Sequence, residues 1–321
     1  MLEVTILSKT HETADIMSYE LASTDGSALP AFEAGSHIDV KVNEKILRQY
    51  SLYNAPKDHQ TYKIAVLKDP NSRGGSLAVH DTFNVGDTIQ ISAPRNLFPL
   101  KHNTNRTVLF AGGIGITPLL SMAQVLDEQG NDFELHYFTR SKANTAFFEE
   151  LNQSPFASNV FFHFNDQNTD KDRVLKHILD QENPSNKTAH LYTCGPNGFM
   201  DYIFDTARSL GWKDDNLHKE VFNAEPIVLD ESDKSFTLNL VRSGISFDIP
   251  ADKTVLEVLE AADIELDTSC EQGVCGSCIT KVISGTPDHR DQFLTDSEKS
   301  LNNQFTPCCS RSLTDSLSID L

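Results

Sequence analysis

Over the first hundred residues apolar and polar positions alternate in short runs: "HIDVKVN" at 37–43, "YKIAVLK" at 62–68 and "TIQISA" at 88–93, with Gly, Asp and Asn between them. A period of two bounded by turn residues predicts strands with one buried face. Several such strands in close succession predict an antiparallel β-barrel over residues 1–102. From 105 to 225 the pattern changes. Four nearly continuous apolar runs, "TVLFAGG", "FELHYFT", "NVFFHF" and "AHLYTCG", alternate with helical segments near 117–129, 172–180 and 197–210. Buried strands alternating with helices predict a doubly wound parallel α/β sheet. The acidic stretch "PIVLDESDK" at 226–234 reads as a linker into a third block, 235–321, and no internal repeat or low-complexity tract is present.

Composition narrows the classes of function. The 321 residues leave room for two or three domains, and 39% apolar residues is enough for real cores. No apolar run approaches the ~20 residues of a membrane span, so no membrane partner is expected. A formal charge of −19 argues against nucleic acid, whose phosphates would be repelled. The N-terminus "MLEVTILSKTHETADIMSYE" lacks a basic stretch followed by a long apolar core, which predicts a cytoplasmic protein. The expected state is a monomer.

The stretch "TSCEQGVCGSCITKVISG" at 268–285 places Cys270, Cys275 and Cys278 in a C-x4-C-x2-C order. That order lets one loop wrap an inorganic cluster with its thiolates inward, the fourth thiolate coming from elsewhere. Between Cys278 and Cys308 stand 29 residues, and between Cys278 and Cys309 stand 30, so spacing alone does not choose between them. A zinc site would more usually show two separated C-x2-C pairs, and a disulfide does not suit a chain without an export signal. Gly273 and Gly276 fit a loop whose backbone N–H groups approach the sulfurs closely.

A cluster needs an electron source, and three further stretches carry the matching chemistry. In "RQYSL" at 48–52 a guanidinium fork suits a phosphate and an aromatic ring can lie against a planar cofactor, although an edge strand could carry the same letters. In "NSRGGSLAVHD" at 71–81, Gly74, Gly75 and Ser76 open a helix whose free N–H groups can bind phosphate; a plain loop is the alternative. "FAGGIGITPLLSM" at 110–122 follows a strand and precedes a helix, with Thr117 placed to cap it and Pro118 in its first turn. Such a turn lays the backbone of Gly112, Gly113, Ile114 and Gly115 against a dinucleotide pyrophosphate, though it is not G-x-G-x-x-G. Cys194, Gly195 and Pro196 end the fourth apolar run, where doubly wound sheets hold ligands; Cys194 could equally be a buried thiol.

Taken in order, these segments resemble the phthalate dioxygenase reductase and vanillate O-demethylase reductase family, within the ferredoxin-reductase superfamily. The resemblance covers essentially the whole chain. It implies a flavin barrel, a nicotinamide-nucleotide α/β domain and a β-grasp ferredoxin domain. It implies that Arg48 binds the flavin phosphate, that Tyr50 and Ser51 lie against the sugar chain and ring, and that Leu52 belongs to the same flavin-binding strand. "GGIGITP" and "CGP" resemble the nicotinamide motifs, and in "HKEVFNA" at 218–224 Glu220 and Phe222 would stand near the flavin. Asn223 departs from the glycine often found there. The cysteine that begins C-x-S-R is the family's fourth ligand, which is Cys308 here, and Cys309 would take an apolar position. The cofactors implied are FMN, NADH and a plant-type 2Fe-2S cluster. FMN rather than FAD rests on the resemblance alone. NADH rather than NADPH rests on the T-R-S turn, although Arg140 and Lys142 could meet a 2′-phosphate.

A hydride carries two electrons and the cluster accepts one, so a flavin between them suits a chain that passes electrons onward. The expected activity is that of a reductase component delivering electrons from NADH to a terminal Rieske oxygenase, in a vanillate, phthalate or carnitine system. The rivals are a reductase for another acceptor, such as a diiron hydroxylase or a diffusible carrier, and a redox sensor that does not turn over. No Ser-His-Asp or H-E-x-x-H arrangement suggests hydrolysis. Residues 226–321 carry 17 acidic against 7 basic side chains, so an acidic surface is expected around the cluster.

Overall fold

A computed structural model describes residues 1–44, 46–70, 72, 74–101, 104, 106–166, 171–181, 189–222 and 233–321. The chain forms two compact units, Met1–Glu220 and Val221–Leu321.

The first unit opens with a seven-stranded antiparallel sheet: β1 (Leu2–His11), β2 (Ile16–Ser23), β3 (Ser36–Lys41), β4 (Leu47–Ser51), β5 (Thr61–Leu67), β6 (Thr88–Ile91) and β7 (Arg95–Asn96). Its order is β4-β3-β6-β1-β2-β5, with β7 on β3. An antiparallel bridge from Leu52 to Ile64 joins the two ends of that order, which closes the sheet into a barrel and leaves no open edge there. Inside, Val4, Ile6, Leu21, Ile38, Val40, Leu52 and Ile64 are fully buried. Helix α1 (Gly75–Thr82) adds Val79 to this core, and Lys9 Nζ donates to the His80 and Phe83 carbonyls at its C-terminal end.

A parallel sheet follows, in which β8 (Arg106–Gly112), β9 (Phe133–Thr139), β10 (Val160–Phe164), β11 (Ala189–Cys194) and β12 (Leu217–Glu220) take the order β10-β9-β8-β11-β12. Its helices are α2 (Ile116–Glu128), α3 (Phe148–Gln153), α4 (Lys171–Gln181) and α5 (Asn197–Ser209). The order runs outward from β8 to β10 on one side and from β11 to β12 on the other. The switch point therefore lies between β8 and β11, and the crevice beyond their C-terminal ends is where such sheets take ligands. Polar contacts hold α2 to the barrel: Ser121 Oγ donates to the Asn54 carbonyl (3.0 Å) and Gln124 Nε2 to that of Tyr53 (3.1 Å). The patterned runs all became strands. The six-residue α3 was not anticipated, and Phe147 before it sits in the left-handed region at φ 59°.

The second unit is a mixed sheet of β13 (Phe236–Leu240), β14 (Ile245–Ile249), β15 (Thr280–Ser284), β17 (Gln304–Phe305) and β19 (Ser316–Ile319), ordered β14-β13-β19-β15-β17, with a small β16 (Pro287–Asp288) and β18 (Arg311–Ser312) pair. Only β13 and β19 run parallel within it. Helix α6 (Val255–Ala261) buries Val255 and Leu259 against this sheet, giving the β-grasp arrangement. Both α6 and α7 (Asp296–Ser300) begin with a capping box, Thr254–Glu257 and Thr295–Glu298, which satisfies helix N–H groups that would otherwise lack partners. Of the expected linker, 226–232 lies outside the described residues, as does Asn223, while Asp233 and Lys234 belong to this second unit.

Candidate functional site

In the first unit the barrel presents β4 and the start of α1 together. The Arg48 side chain crosses the helix start so closely that a Cβ added to Gly75 would lie 2.5 Å from its Nε and 2.8 Å from its Cγ. Gly74 caps the helix at φ 94°, a conformation glycine adopts without cost. The Ser76 N–H is held by Ser72 Oγ (3.2 Å), and Ser76 Oγ accepts from the Asp69 N–H. A guanidinium laid over a helix N-terminus is a coherent anion cradle. Tyr50 packs on the barrel core, and burial pushes its hydroxyl above the ordinary phenol range. Leu52 is wholly core, so its contribution beyond packing is backbone.

At the switch point two loops touch backbone to backbone. A Cβ on Gly115 would fall 2.2 Å from the Cys194 carbonyl oxygen, and one on Gly195 would fall 2.9 Å from the Gly112 Cα. Gly113 needs its freedom for another reason, φ 55°. One expectation is corrected here. The helix starts at Ile116 with Gly115 as its cap, so Thr117 lies inside the first turn and its Oγ1 donates to the Ile114 carbonyl (3.2 Å) instead of capping. Glycine takes the cap position because any side chain there would collide with Cys194. The first N–H groups of α2 consequently have no side-chain cap, and Ile114 and Pro118 flank them.

Cys194 lies opposite Glu220 in the β11–β12 register, and Ser51 Oγ at the end of β4 donates to Glu220 Oε2 at 3.1 Å. These three side chains join the barrel to the nicotinamide-type crevice. Burial raises the Glu220 carboxyl to about 8, with the Ser51 hydrogen bond pulling the other way. The residue keeps some surface. Burial, then the Glu220 charge, raises the Cys194 thiol well above its ordinary range. Cys194 therefore offers bulk and a weak S–H, not a thiolate nucleophile. Phe222 is half-buried and belongs to the second unit.

In the second unit the four cysteines stand as two pairs. The thiols of Cys270 and Cys275 are hydrogen-bond partners, and Cys278 Sγ lies 3.4 Å from Cys308 Sγ. Among the described residues no three His, Cys, Asp or Glu side chains gather around one point, as a single metal ion would require. Two pairs suit two irons, because each iron of a 2Fe-2S cluster takes two protein ligands. The residues present thus fit that group. The Gln272 N–H reaches Cys270 Sγ (3.3 Å) and the Ser277 N–H reaches Cys275 Sγ (3.4 Å). Glu271, Gly273 and Gly276 all have positive φ, which turns the loop around its sulfurs. The glycines are also needed for packing: a Cβ on Gly273 would sit 2.5 Å from Cys309 Sγ and one on Gly276 would sit 2.5 Å from the Phe293 ring. Cys309 is fully buried, with its sulfur 3.1 Å from Thr306 Oγ1.

Sequence reasoning missed Arg311, although it stands in the quoted C-x-S-R turn. It is 2% exposed and donates to the carbonyls of Lys253, Lys234 and Pro250, while Arg290 pairs with Asp233 and Asp288. An arginine beside the last cysteine was the available signal.

Comparison with known proteins agrees with this geometry. A family model described as an oxidoreductase NAD-binding domain matches residues 109–205, and one described as a 2Fe-2S iron-sulfur cluster binding domain matches 238–313. The chain is 50% identical to a vanillate O-demethylase oxidoreductase of Pseudomonas sp. over 321 residues, all of both chains. Among solved structures it is similar to phthalate dioxygenase reductase, described as a modular structure for electron transfer from pyridine nucleotides to [2Fe-2S]. That match has a TM-score of 0.74 at 40% identity and covers all of this chain and 98% of the other. It is also similar to an intact type IV self-sufficient cytochrome P450 monooxygenase (TM-score 0.88, 36% identity), of which it spans only 41%. The chain belongs to the family of vanillate O-demethylase oxidoreductases and phthalate dioxygenase reductases.

Proposed function

We propose that this protein is the reductase component of a two-component Rieske oxygenase system, carrying electrons from NADH through FMN and a 2Fe-2S cluster to the oxygenase. The observation that carries the reading is the Ser51–Glu220 hydrogen bond, which sets the end of the barrel strand at the mouth of the switch-point crevice. Arg48 and the Gly74–Ser76 turn would hold the flavin phosphate, with Tyr50 and Ser51 along the rest of the cofactor. Gly112 to Gly115 and Thr117 would hold the NADH pyrophosphate through backbone N–H groups, with Pro118, which has no N–H, lying beside them, and Cys194, Gly195 and Pro196 would bound the nicotinamide. Cys270, Cys275, Cys278 and Cys308 would hold the cluster. When bound, these groups supply hydride acceptance and the passage from electron pairs to single electrons.

The chain's own residues position and insulate. Glu220 keeps its proton at neutral pH, and Ser51 Oγ holds the carboxyl in place by donating to Oε2 at 3.1 Å. Cys194, with no accessible surface, excludes water from the crevice floor. Lys142, one of two cations that could meet a 2′-phosphate, is turned to Glu149 (3.6 Å) and the Phe148 ring (4.1 Å), which supports NADH as the donor. Rieske centres lie near about −150 mV or above and plant-type clusters near about −400 mV, so delivery runs downhill. The protein acts as a cytoplasmic monomer without nucleic acid or membrane partners. No helix among the described residues is long and apolar enough to cross a membrane.

The test is anaerobic mixing of the NADH-reduced protein with a Rieske oxygenase, followed at the Rieske absorption. Reduction of the Rieske centre supports the reading, and none refutes it. The likeness to the P450 monooxygenase favours a second reading, another class of acceptor, and reduction of a haem or diiron partner but no Rieske centre would select it.

A further inference from the structure

We infer that His190 and His218 form a side-chain staple that holds the edge strand β12 on β11 and thereby positions Glu220 against Ser51. The inference rests on the place given to Glu220 above and adds to it two positioning residues. β12 is four residues long, ends the order β10-β9-β8-β11-β12 and pairs with a neighbour on one side only. Glu220 is its last residue, and the first unit ends there. A short strand bonded along one edge opens easily at its end, so side chains must help to fix Glu220.

His218 lies opposite Tyr192 in the β11–β12 register, as Glu220 lies opposite Cys194, and alternation along each strand puts both pairs on one face of the sheet. His190 stands two residues before Tyr192 on that face. Its Nδ1 is 2.9 Å from His218 Nε2, with the two rings 14° from parallel. The Tyr192 ring stacks on His218 at 4.4 Å between centroids, while its hydroxyl accepts the Lys101 N–H at 2.8 Å. Two side chains of β11 therefore grip one of β12. A bond between imidazoles needs a donor nitrogen on one ring and a lone pair on the other. Burial, then His190 and Lys101, lowers His218 to about 4, and burial, then Lys101, lowers His190, which keeps both rings neutral and the bond intact at pH 7. The neighbouring Lys219 reaches Asp201 (3.4 Å) on the opposite, exposed face, where an ion pair holds little. The other edge of the sheet has a staple of its own: His136 Nδ1 on β9 lies 3.1 Å from His163 Nε2 on β10. That pair stands on the far side of β8 from Glu220 and gives an internal comparison.

The experiment reads the folded Glu220 carboxyl through linkage. Urea unfolding of the full-length protein from pH 5 to 9, followed by Trp212 emission, gives the stability gained by Glu220→Gln as a function of pH, and the series is repeated in three backgrounds. His218→Phe keeps a ring beside Tyr192 and removes the hydrogen bond. Glu220, no longer held, should titrate closer to its ordinary 4.5, so the gain from Glu220→Gln at pH 8 should shrink about tenfold or more as a ratio of unfolding constants. His218→Gln, whose Nε2 replaces the imidazole Nε2, should restore the wild-type profile. His163→Phe should lower stability at every pH and leave the Glu220 profile unchanged. Should His218→Phe not fold, His190→Phe removes the same bond from the inner strand. A wild-type profile in the phenylalanine variants of the pair overturns the inference. So does glutamine as flat as phenylalanine, or an equal flattening by His163→Phe, which would mean general loosening of the sheet. The comparison needs no cofactor, so a protein that fails to reduce any Rieske centre would overturn the functional reading while these profiles still decide the staple.

Discussion

Replacing Glu220 by glutamine removes a carboxyl that folding holds near 8 against an ordinary 4.5, while keeping its shape and one hydrogen-bonding oxygen for Ser51. The sign follows from linkage. Below pH 4.5 the carboxyl is neutral in both folded and unfolded chains, so its titration costs nothing. As pH rises from 4.5 to 8 the unfolded chain loses the proton and the folded one keeps it, and the native state is progressively disfavoured. Above 8 the folded carboxyl also ionises and the penalty levels off. At ~1.4 kcal/mol per pH unit across that window the full penalty is roughly 5 kcal/mol, an upper figure because the residue keeps some surface. Glu220→Gln should therefore match the wild type at pH 4.5 and gain on it steadily to pH 8. Trp212, the only tryptophan, is buried in the same unit, so its emission reports unfolding there. Urea titrations from pH 5 to 9 supply the comparison, and a wild-type-to-variant difference that ignores pH would refute the buried carboxyl.

Three further substitutions probe the site. Gly115→Ala places a Cβ against the Cys194 carbonyl with backbone on both sides, so it should cost ~3 kcal/mol or more, or abolish NADH binding, as read by melting and by NADH titration. Cys308→Ser should lose or strongly perturb the cluster's visible absorption while flavin remains, and Cys309→Ser should leave it mostly intact; the reverse outcome would reassign the fourth ligand. Arg311→Met removes a buried guanidinium that donates to the Lys253, Lys234 and Pro250 carbonyls, while Asp233 keeps its pairing with Arg290, and should destabilise the second unit by about 1–3 kcal/mol in denaturant, with hydrogen exchange locating the loss.

What the sequence disclosed and what it hid divide along physical lines. Period-two runs became barrel strands and continuous apolar runs became parallel ones, because each pattern is set by how many faces are buried. The six-residue α3 has no room for a helical period, so it stayed invisible. Spacing alone could not choose between Cys308 and Cys309, since the two differ by one position; the resemblance chose Cys308, whose Sγ lies 3.4 Å from Cys278 Sγ. Thr117 looked like a cap because threonine caps well, but the approach of Cys194 to Gly115 moved the helix start, a tertiary constraint that no local preference contains. The Ser51–Glu220 bond spans 169 positions, and only the resemblance pointed to those residues together.

The central claim is that one chain moves electrons from NADH through a flavin to a cluster. Anaerobic stopped-flow mixing of the holoprotein with a limiting amount of NADH, followed at flavin and cluster wavelengths, tests it directly. The account predicts flavin bleaching first, then cluster reduction at a rate independent of protein concentration, as transfer within one molecule requires. Flavin bleaching with the cluster left oxidised, or cluster reduction whose rate rises with protein concentration, would contradict it.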